Sequence, residues 1–483
     1  MLLRTTLVCV GRAEEAEDRI ARSLWPWVER VVGTWALPGV AMSVVHDGDH
    51  VAARGFGVRD RATGAPVTAD TLFHLASISK TFVATAVLQL VEEGELDLGA
   101  GITAYLPDLP WTDPRADGIT LRHLLSHRSG LGDVHDYGWH APELDDLALS
   151  RFAARVAGWP LERDPGLAYA YSNAAYELLG HLVATTRDCS FEAALRTWVL
   201  DPAGMSTSTF LRAEVPPHLG AAPHLGLPPR VVEGAYPYTR RHAPSSTLHS
   251  SAAETGRWMV AHLASSAGLI SRATHALMWE PQVEAGGGEE HRQMALGWFR
   301  GTYRGHLVVG HSGADPGFET NLALLPELGL GVTVLTSSNT APIRSLTRAA
   351  LDALLGMQPP APPRPPVTVP LGPVLARVGV PAAVDLYRRL TAEDPPTVDV
   401  AQDGFADAVW GLIELHRTDL VRPVLELWRQ VQPESAQLWF MTGWAAEVEG
   451  RRETAVEHLR RAAELDPDDD EASMMLRRLS KSP

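Results

Sequence analysis

The chain has 483 residues, 45% of them hydrophobic, and a formal net charge of −16. That length exceeds one typical domain, and the apolar content supports a sizeable core. The acidic balance argues against nucleic acid or an anionic membrane as the main partner, since both attract basic surfaces, and two cysteines, Cys9 and Cys189, exclude a disulfide framework or a cysteine metal cluster.

The N-terminus, MLLRTTLVCVGRAEEAED, holds only a very short apolar run, so no secretory signal is expected. No stretch approaches the ~20 apolar residues of a membrane span, and a cytoplasmic location is the default. Residues 14–32 have the pattern of an amphipathic helix. GVAMSVVHDGDHVAARGFGVRD predicts two strands joined at Asp47-Gly48, a hairpin signal. SISKTFVATAVLQLVEEG predicts a long apolar helix stopped at Gly94. Residues 119–265 are rich in helix and loop. From 294 to 338 several strands are expected, with turns at Gly301, Gly305 and Gly329, and helix returns over 341–356. Strands at both ends with helices between predict an α+β domain, residues 1–356, whose sheet is completed by C-terminal strands.

GMQPPAPPRPPVTVPLGP is a Pro-rich semi-rigid spacer, giving a linker over 357–370. Residues 371–483 differ in kind. WFMTGWAAEVEGRRETAVEHLRRAAELDP resembles a tetratricopeptide repeat, with Trp439, Gly443, Gly450, Ala455, Ala462 and Pro467 at the expected spacing. Pro433 and the echo of AAVDLYRRLTAEDP extend this to three degenerate helical pairs, an all-α domain. The segment holds 13 basic and 20 acidic residues, a balance of −7. Such repeats either pack on the first domain or offer a groove to a protein partner.

Of the 42 basic residues, only Lys80 and Lys481 are lysine. Lys80 is therefore the sole lysine away from the C-terminus. Lysine, unlike arginine, can lose its proton when desolvated and act as a base. Lys80 stands three residues after Ser77 in HLASISKTF, so the two share a helix face. The helix N-terminus lies near the serine, and Leu75, Ile78, Phe82 and Val83 would desolvate the amine. That arrangement activates a serine without histidine.

Tyr171-Ser172-Asn173 lies at a turn before an apolar helix. Tyr171 is a candidate to carry the proton onward and Asn173 to donate to a substrate amide; ordinary helix capping is the competing reading. HLVVGHSGADPGF looks like a nucleophile elbow centred on Ser312. The elbow needs Gly at 314, where this chain has Ala, and needs a histidine after the serine. None follows before the spacer. His123 and His127 have a metal-like spacing, but neither HExxH nor a third ligand accompanies them. No metal and no cofactor are expected.

Together, Ser77-x-x-Lys80, Tyr171-x-Asn173 and His311-Ser-Gly313 resemble the three motifs of the serine β-lactamase and penicillin-recognising family. Their order and the surrounding text (PGVAMSVVHDG, ITLRHLLSHRSGL, YSNAAYELLGHLV) are most similar to the class C β-lactamase-like branch, over about residues 14–356. The resemblance implies a β-lactamase/transpeptidase-like fold and acyl-enzyme chemistry. Ser77 would attack a carbonyl while Lys80 and Tyr171 share the proton transfers. The amides of Ser77 and Ala314 would form the oxyanion hole. His311 would tune the field at Tyr171 or face the substrate, and Gly313 would let the edge strand approach it. His311 stands where most of the family has Lys, which implies a substrate other than a β-lactam. The activity implied is a serine hydrolase on small esters or peptides, including D-amino-acid peptides. An acyltransferase or peptide cyclase is one alternative, and a non-catalytic scaffold working through the repeats is the other.

Overall fold

The computed structural model describes residues 18–46, 48–263 and 268–481. The strands are β1 (Gly39–His46), β2 (Asp49–Asp60), β3 (Ala65–Pro66), β4 (Phe73–His74), β5 (His224–Leu225), β6 (Arg230–Val231), β7 (His249–Ser250), β8 (Val283–Glu284), β9 (Gln293–Met294), β10 (Phe299–Tyr303), β11 (His306–Asp315), β12 (Phe318–Leu325) and β13 (Leu330–Thr336). Nine of them form one antiparallel sheet in the order β3-β2-β1-β13-β12-β11-β10-β9-β8. β1 and β2 pair as the expected hairpin, with His46 opposite Asp49; Asp47 of the hairpin signal lies outside the described residues. The pairing of β1 with β13 closes the sheet with C-terminal strands.

Period-two alternation assigns the side chains of this sheet to two cores. Val40, Met42 and Val44 enter one core, with Val332, Val334, Ala323 and Leu325. Ala41, Val45, Leu335, Leu322 and Leu324 enter the other. Helix α1 (Trp25–Thr34) and helix α6 (Ile343–Leu354) cover the first face. The second is covered by α2 (Ser79–Glu92), α3 (Asn173–Arg187), the one-turn helix α4 (Ala243–Ser246) and α5 (Ala252–Leu263). The central strands are thus covered on both sides, which is why GVAMSVV and LGVTVLT are nearly continuous apolar runs. Each fully buried Val or Leu contributes about 1.5–3 kcal/mol.

α2 is buried almost throughout, and its Phe82 stacks on Trp258 of α5 at 3.7 Å. The helix ends at Glu92, and Gly94 turns the chain with φ +78°. The expected turn at Gly301 is corrected: Gly301 lies within β10, whereas Gly305 and Gly329 do turn. The glycine is needed there for a different reason. A Cβ on Gly301 would stand 2.0 Å from the Glu289 carbonyl oxygen, because the 289–291 turn lies across the strand.

The Pro-rich spacer is fastened rather than free. Trp27 and Trp35 donate their indole N–H groups to the carbonyls of Pro360 (2.6 Å) and Pro363 (3.0 Å). Helix begins at Thr368, inside the expected linker. The tail then runs α7 (Thr368–Arg377), α8 (Val380–Thr391), α9 (Phe405–Glu414), α10 (Arg422–Val431), α11 (Ala436–Val448), α12 (Arg452–Leu465) and α13 (Asp470–Lys481). Gly443 lets α11 and α12 close up; a Cβ there would meet Leu459 at 2.8 Å. The tail packs on the first domain through a shared core. Trp139, Leu225 and Leu227 join Leu371, Val409 and Leu412. Among the described residues no helix is long and apolar enough to cross a membrane.

Candidate active site

Ser77 occupies a single 3-10 turn, Ala76–Ile78, between β4 and α2. Ala76 before it has φ +48°, a left-handed conformation that costs a residue with a side chain ~1–3 kcal/mol. The turn is held by its neighbours. Leu75 N–H donates to the Leu248 carbonyl (2.7 Å), and Thr320 Oγ1 donates to the Leu75 carbonyl (2.8 Å).

Lys80 follows at the start of α2 and is 0% exposed. Its Nζ donates to Ser77 Oγ at 2.8 Å and to the Ser245 carbonyl at 2.8 Å. Burial brings the amine down to about 8, against the opposing pull of Glu177, Asp133 and Asp315. The structure also brings Tyr171 to this point. Its hydroxyl is near enough to Ser77 to feel its influence, and Lys80 Nζ lies 5.1 Å from the centre of its ring. Burial pushes the phenol well above its ordinary range, so it stays protonated.

Behind Tyr171, His127 stacks on the ring at 4.2 Å. Its Nδ1 accepts the Ser172 N–H at 3.1 Å, so as a neutral ring it carries its proton on Nε2. Desolvation and the Lys80 charge hold it neutral. His123 instead completes a capping box with Thr120. Ser172 caps α3 through the Ala175 N–H (3.2 Å), so the capping reading holds for the middle residue of that motif.

Asn173 differs from expectation. Its Nδ2 donates to Asp133 Oδ2 (3.0 Å) and Tyr137 Oη (2.5 Å). Both amide hydrogens are therefore engaged within the protein, and only the carbonyl oxygen is left for a substrate.

β11 forms the opposite wall. β10 pairs with it only from His306 to Gly310. Among the described residues no strand pairs with that edge from His311 to Asp315, where the Ser77 turn lies against it. Gly313 is buried there and Ala314 is exposed. Ser312 stands on β11 opposite Asn321, and the carbonyl of Ser312 accepts from His311 Nδ1 at 2.6 Å. His311 is 1% exposed, with its ring 6.3 Å from that of Tyr171. Burial, with the Lys80 charge adding, pushes it down to about 3. His311 is therefore uncharged. Asp315 ends the strand in a buried knot, accepting from His74 Nε2 (2.6 Å) and Ser246 Oγ (2.7 Å).

Nothing local in the sequence marks the groups behind Lys80. Glu177 on α3 is fully buried and accepts from Ser245 Oγ (2.6 Å) and His242 Nδ1 (3.1 Å). Burial raises its carboxyl to about 8. Glu177 does lie within the buried stretch of α3, four residues after Asn173, and a carboxylate amid those residues is the one signal that could have found it.

Residues 27–356 match the beta-lactamase family. The chain is similar to penicillin-binding protein 4 of Amycolatopsis lactamdurans, 32% identical over 367 residues, which span 71% of this chain and 94% of that protein. It is also similar to esterase EstB of Burkholderia gladioli, 37% identical over 207 residues, spanning 40% of this chain and 52% of the esterase. Among solved structures, the octameric penicillin-binding protein homologue from Pyrococcus abyssi is similar with a TM-score of 0.63 and 25% identity. That match covers 74% of this chain and 81% of the homologue.

Proposed function

We propose that this chain, which belongs to the beta-lactamase family, hydrolyses small esters or peptides through an acyl-enzyme on Ser77. The observation that carries the reading is the buried Lys80 amine, 2.8 Å from Ser77 Oγ and lowered to about 8. Of the two groups beside the serine, the lysine is the one close to deprotonation near neutral pH, and the phenol is the one that stays protonated. Lys80 is thus the base and Tyr171 the acid.

In acylation, Ser77 Oγ attacks the carbonyl carbon and its proton passes to Lys80 Nζ. The oxyanion develops between the amides of Ser77 and Ala314, each such donor being worth about 3–4 kcal/mol. The carbon–leaving-group bond then breaks as Tyr171 gives its proton to the departing alcohol or amine. Lys80 restores the proton of Tyr171. Water, activated by the same pair, attacks the ester of Ser77 and releases the acid. Gly313 admits the substrate backbone to the open edge of β11. We assign the chain to the class C-like type and include D-amino-acid peptides among its substrates. Similarity to a protein named as an esterase supports an ester carbonyl.

The test is intact-mass labelling with a fluorophosphonate ester. One adduct is expected, mapped to Ser77 and absent in Ser77→Ala. An adduct on Ser312, or ester turnover undiminished in Ser77→Ala, overturns the assignment.

A further inference from the structure

A second cluster of donor side chains lies where the helical tail meets the loop beside the catalytic centre. Asp136 and His140 come from that loop, and His416 follows α9 in the tail. One ligand atom from each lies within 4.8 Å of the other two, and all three residues are exposed. The two imidazoles stack at 3.7 Å with only 15° between their planes. Among the described residues neither ring has a hydrogen-bond partner, so all four ring nitrogens stay available. We infer that Asp136, His140 and His416 bind one divalent ion of the zinc class and clamp the tail to the catalytic domain.

The backbone on both sides is already fixed. Asp136 Oδ1 accepts the Gly138 N–H at 2.7 Å, which leaves Oδ2 for a metal. The Tyr137 carbonyl accepts from Arg241 Nη2 (2.6 Å), and Tyr137 stacks on Trp139. On the tail side, His416 takes φ +56° and its N–H donates to the Ile413 carbonyl (2.9 Å). Arg417 next to it donates to the Glu233 carbonyl of the first domain (3.3 Å). Only side-chain torsions need to change. With zinc–ligand bonds of about 2.1 Å, two ligands of one ion stand at most about 4.2 Å apart, close to the separation already present.

The donor set and its surroundings select the ion. Two imidazoles and a carboxylate suit zinc or nickel and not calcium or magnesium. Asp136 and His416 also border a cavity of about 360 Å³ that Glu414 and Glu447 line. His140 and His416 lie far apart in the chain, and no motif joins them.

The test uses the full chain titrated with zinc chloride by calorimetry, with cobalt(II) absorption as a second readout. One equivalent is expected to bind with a Kd in the range of about 1–10 µM and to raise Tm. His140→Ala and His416→Ala, both exposed positions, should each weaken binding by about 10–100-fold while leaving the metal-free Tm unchanged. Absence of saturable binding below about 1 mM overturns the proposal. So does binding that persists undiminished in the His140→Ala/His416→Ala double variant.

Discussion

Gly313 brings β11 so close to Ser77 that a methyl group at 313 would stand 2.8 Å from the Ser77 amide nitrogen. It would also lie 2.5 Å from the Leu75 carbonyl oxygen. Both contacts are with backbone, so no side chain can swing aside. In Gly313→Ala the strand and the nucleophile turn must separate, and the two proposed oxyanion donors with them. Acylation by a fluorophosphonate should slow by about 10²-fold or more, the effect of losing one such donor. Gly288→Ala, where a Cβ meets nothing within 4 Å, should label at the wild-type rate. Equal rates for the two variants would refute the role given to this approach.

The Lys80 amine, lowered to about 8 by burial, must be neutral to take the proton of Ser77. The neutral fraction grows as pH rises. Ester kcat/KM should therefore climb roughly tenfold per pH unit below about 8 and level off above it. A profile flat between pH 6 and 9 contradicts Lys80 as the base. Lys80→Arg, which keeps the charge and cannot lose it, should cost about 10²–10⁴-fold in acylation.

Glu177, whose own carboxyl ionises only around 8, raises the pKa of Lys80 through its charge once it is ionised. Replacing it with Gln keeps a side-chain acceptor for Ser245 and removes that charge. The top of the rising limb, near pH 8 where Glu177 ionises, should move to lower pH in Glu177→Gln. A limb that stays in place would reduce Glu177 to a packing role; a limb that moves upward would reverse the sign argued here.

The sheet was legible because its alternation is local: each residue of GVAMSVV declares its face from its own position. Ser77 and Lys80 were legible for the same reason, three residues apart on one turn. Chain order argued against Ser312 as nucleophile, and in the structure Ser312 stands on β11 opposite Asn321. What surrounds Lys80 was not legible, because Ser245, Glu177 and Asp133 reach it from three separate parts of the chain. Asn173 shows the limit of motif reading most sharply. Its position fits the motif, yet its amide hydrogens go to Asp133 and Tyr137, which no spacing rule connects to it. The docking of the tail was open for the same reason, since Trp139, Leu225 and Val409 form a core only after the chain has folded.

Gly411 of α9 rests on the residue that follows β11. A Cβ there would stand 3.1 Å from Pro316 Cα and 2.8 Å from Leu225 Cδ2. Pro316 is next to Asp315 and two residues from Ala314, a proposed oxyanion donor. A wedge at 411 must therefore displace either the tail or the strand end. Gly411→Val should lower stability by about 1–3 kcal/mol, the usual cost of overpacking, and should also slow labelling of Ser77. Gly443→Val supplies the comparison. It crowds Leu459 inside the tail, and the nearest atoms to its Cβ belong to Leu459 and Ala455, both tail residues. It should lower Tm similarly while Ser77 labels at the wild-type rate. If both variants lose stability and neither changes labelling, the tail is attached to the catalytic domain without shaping its site.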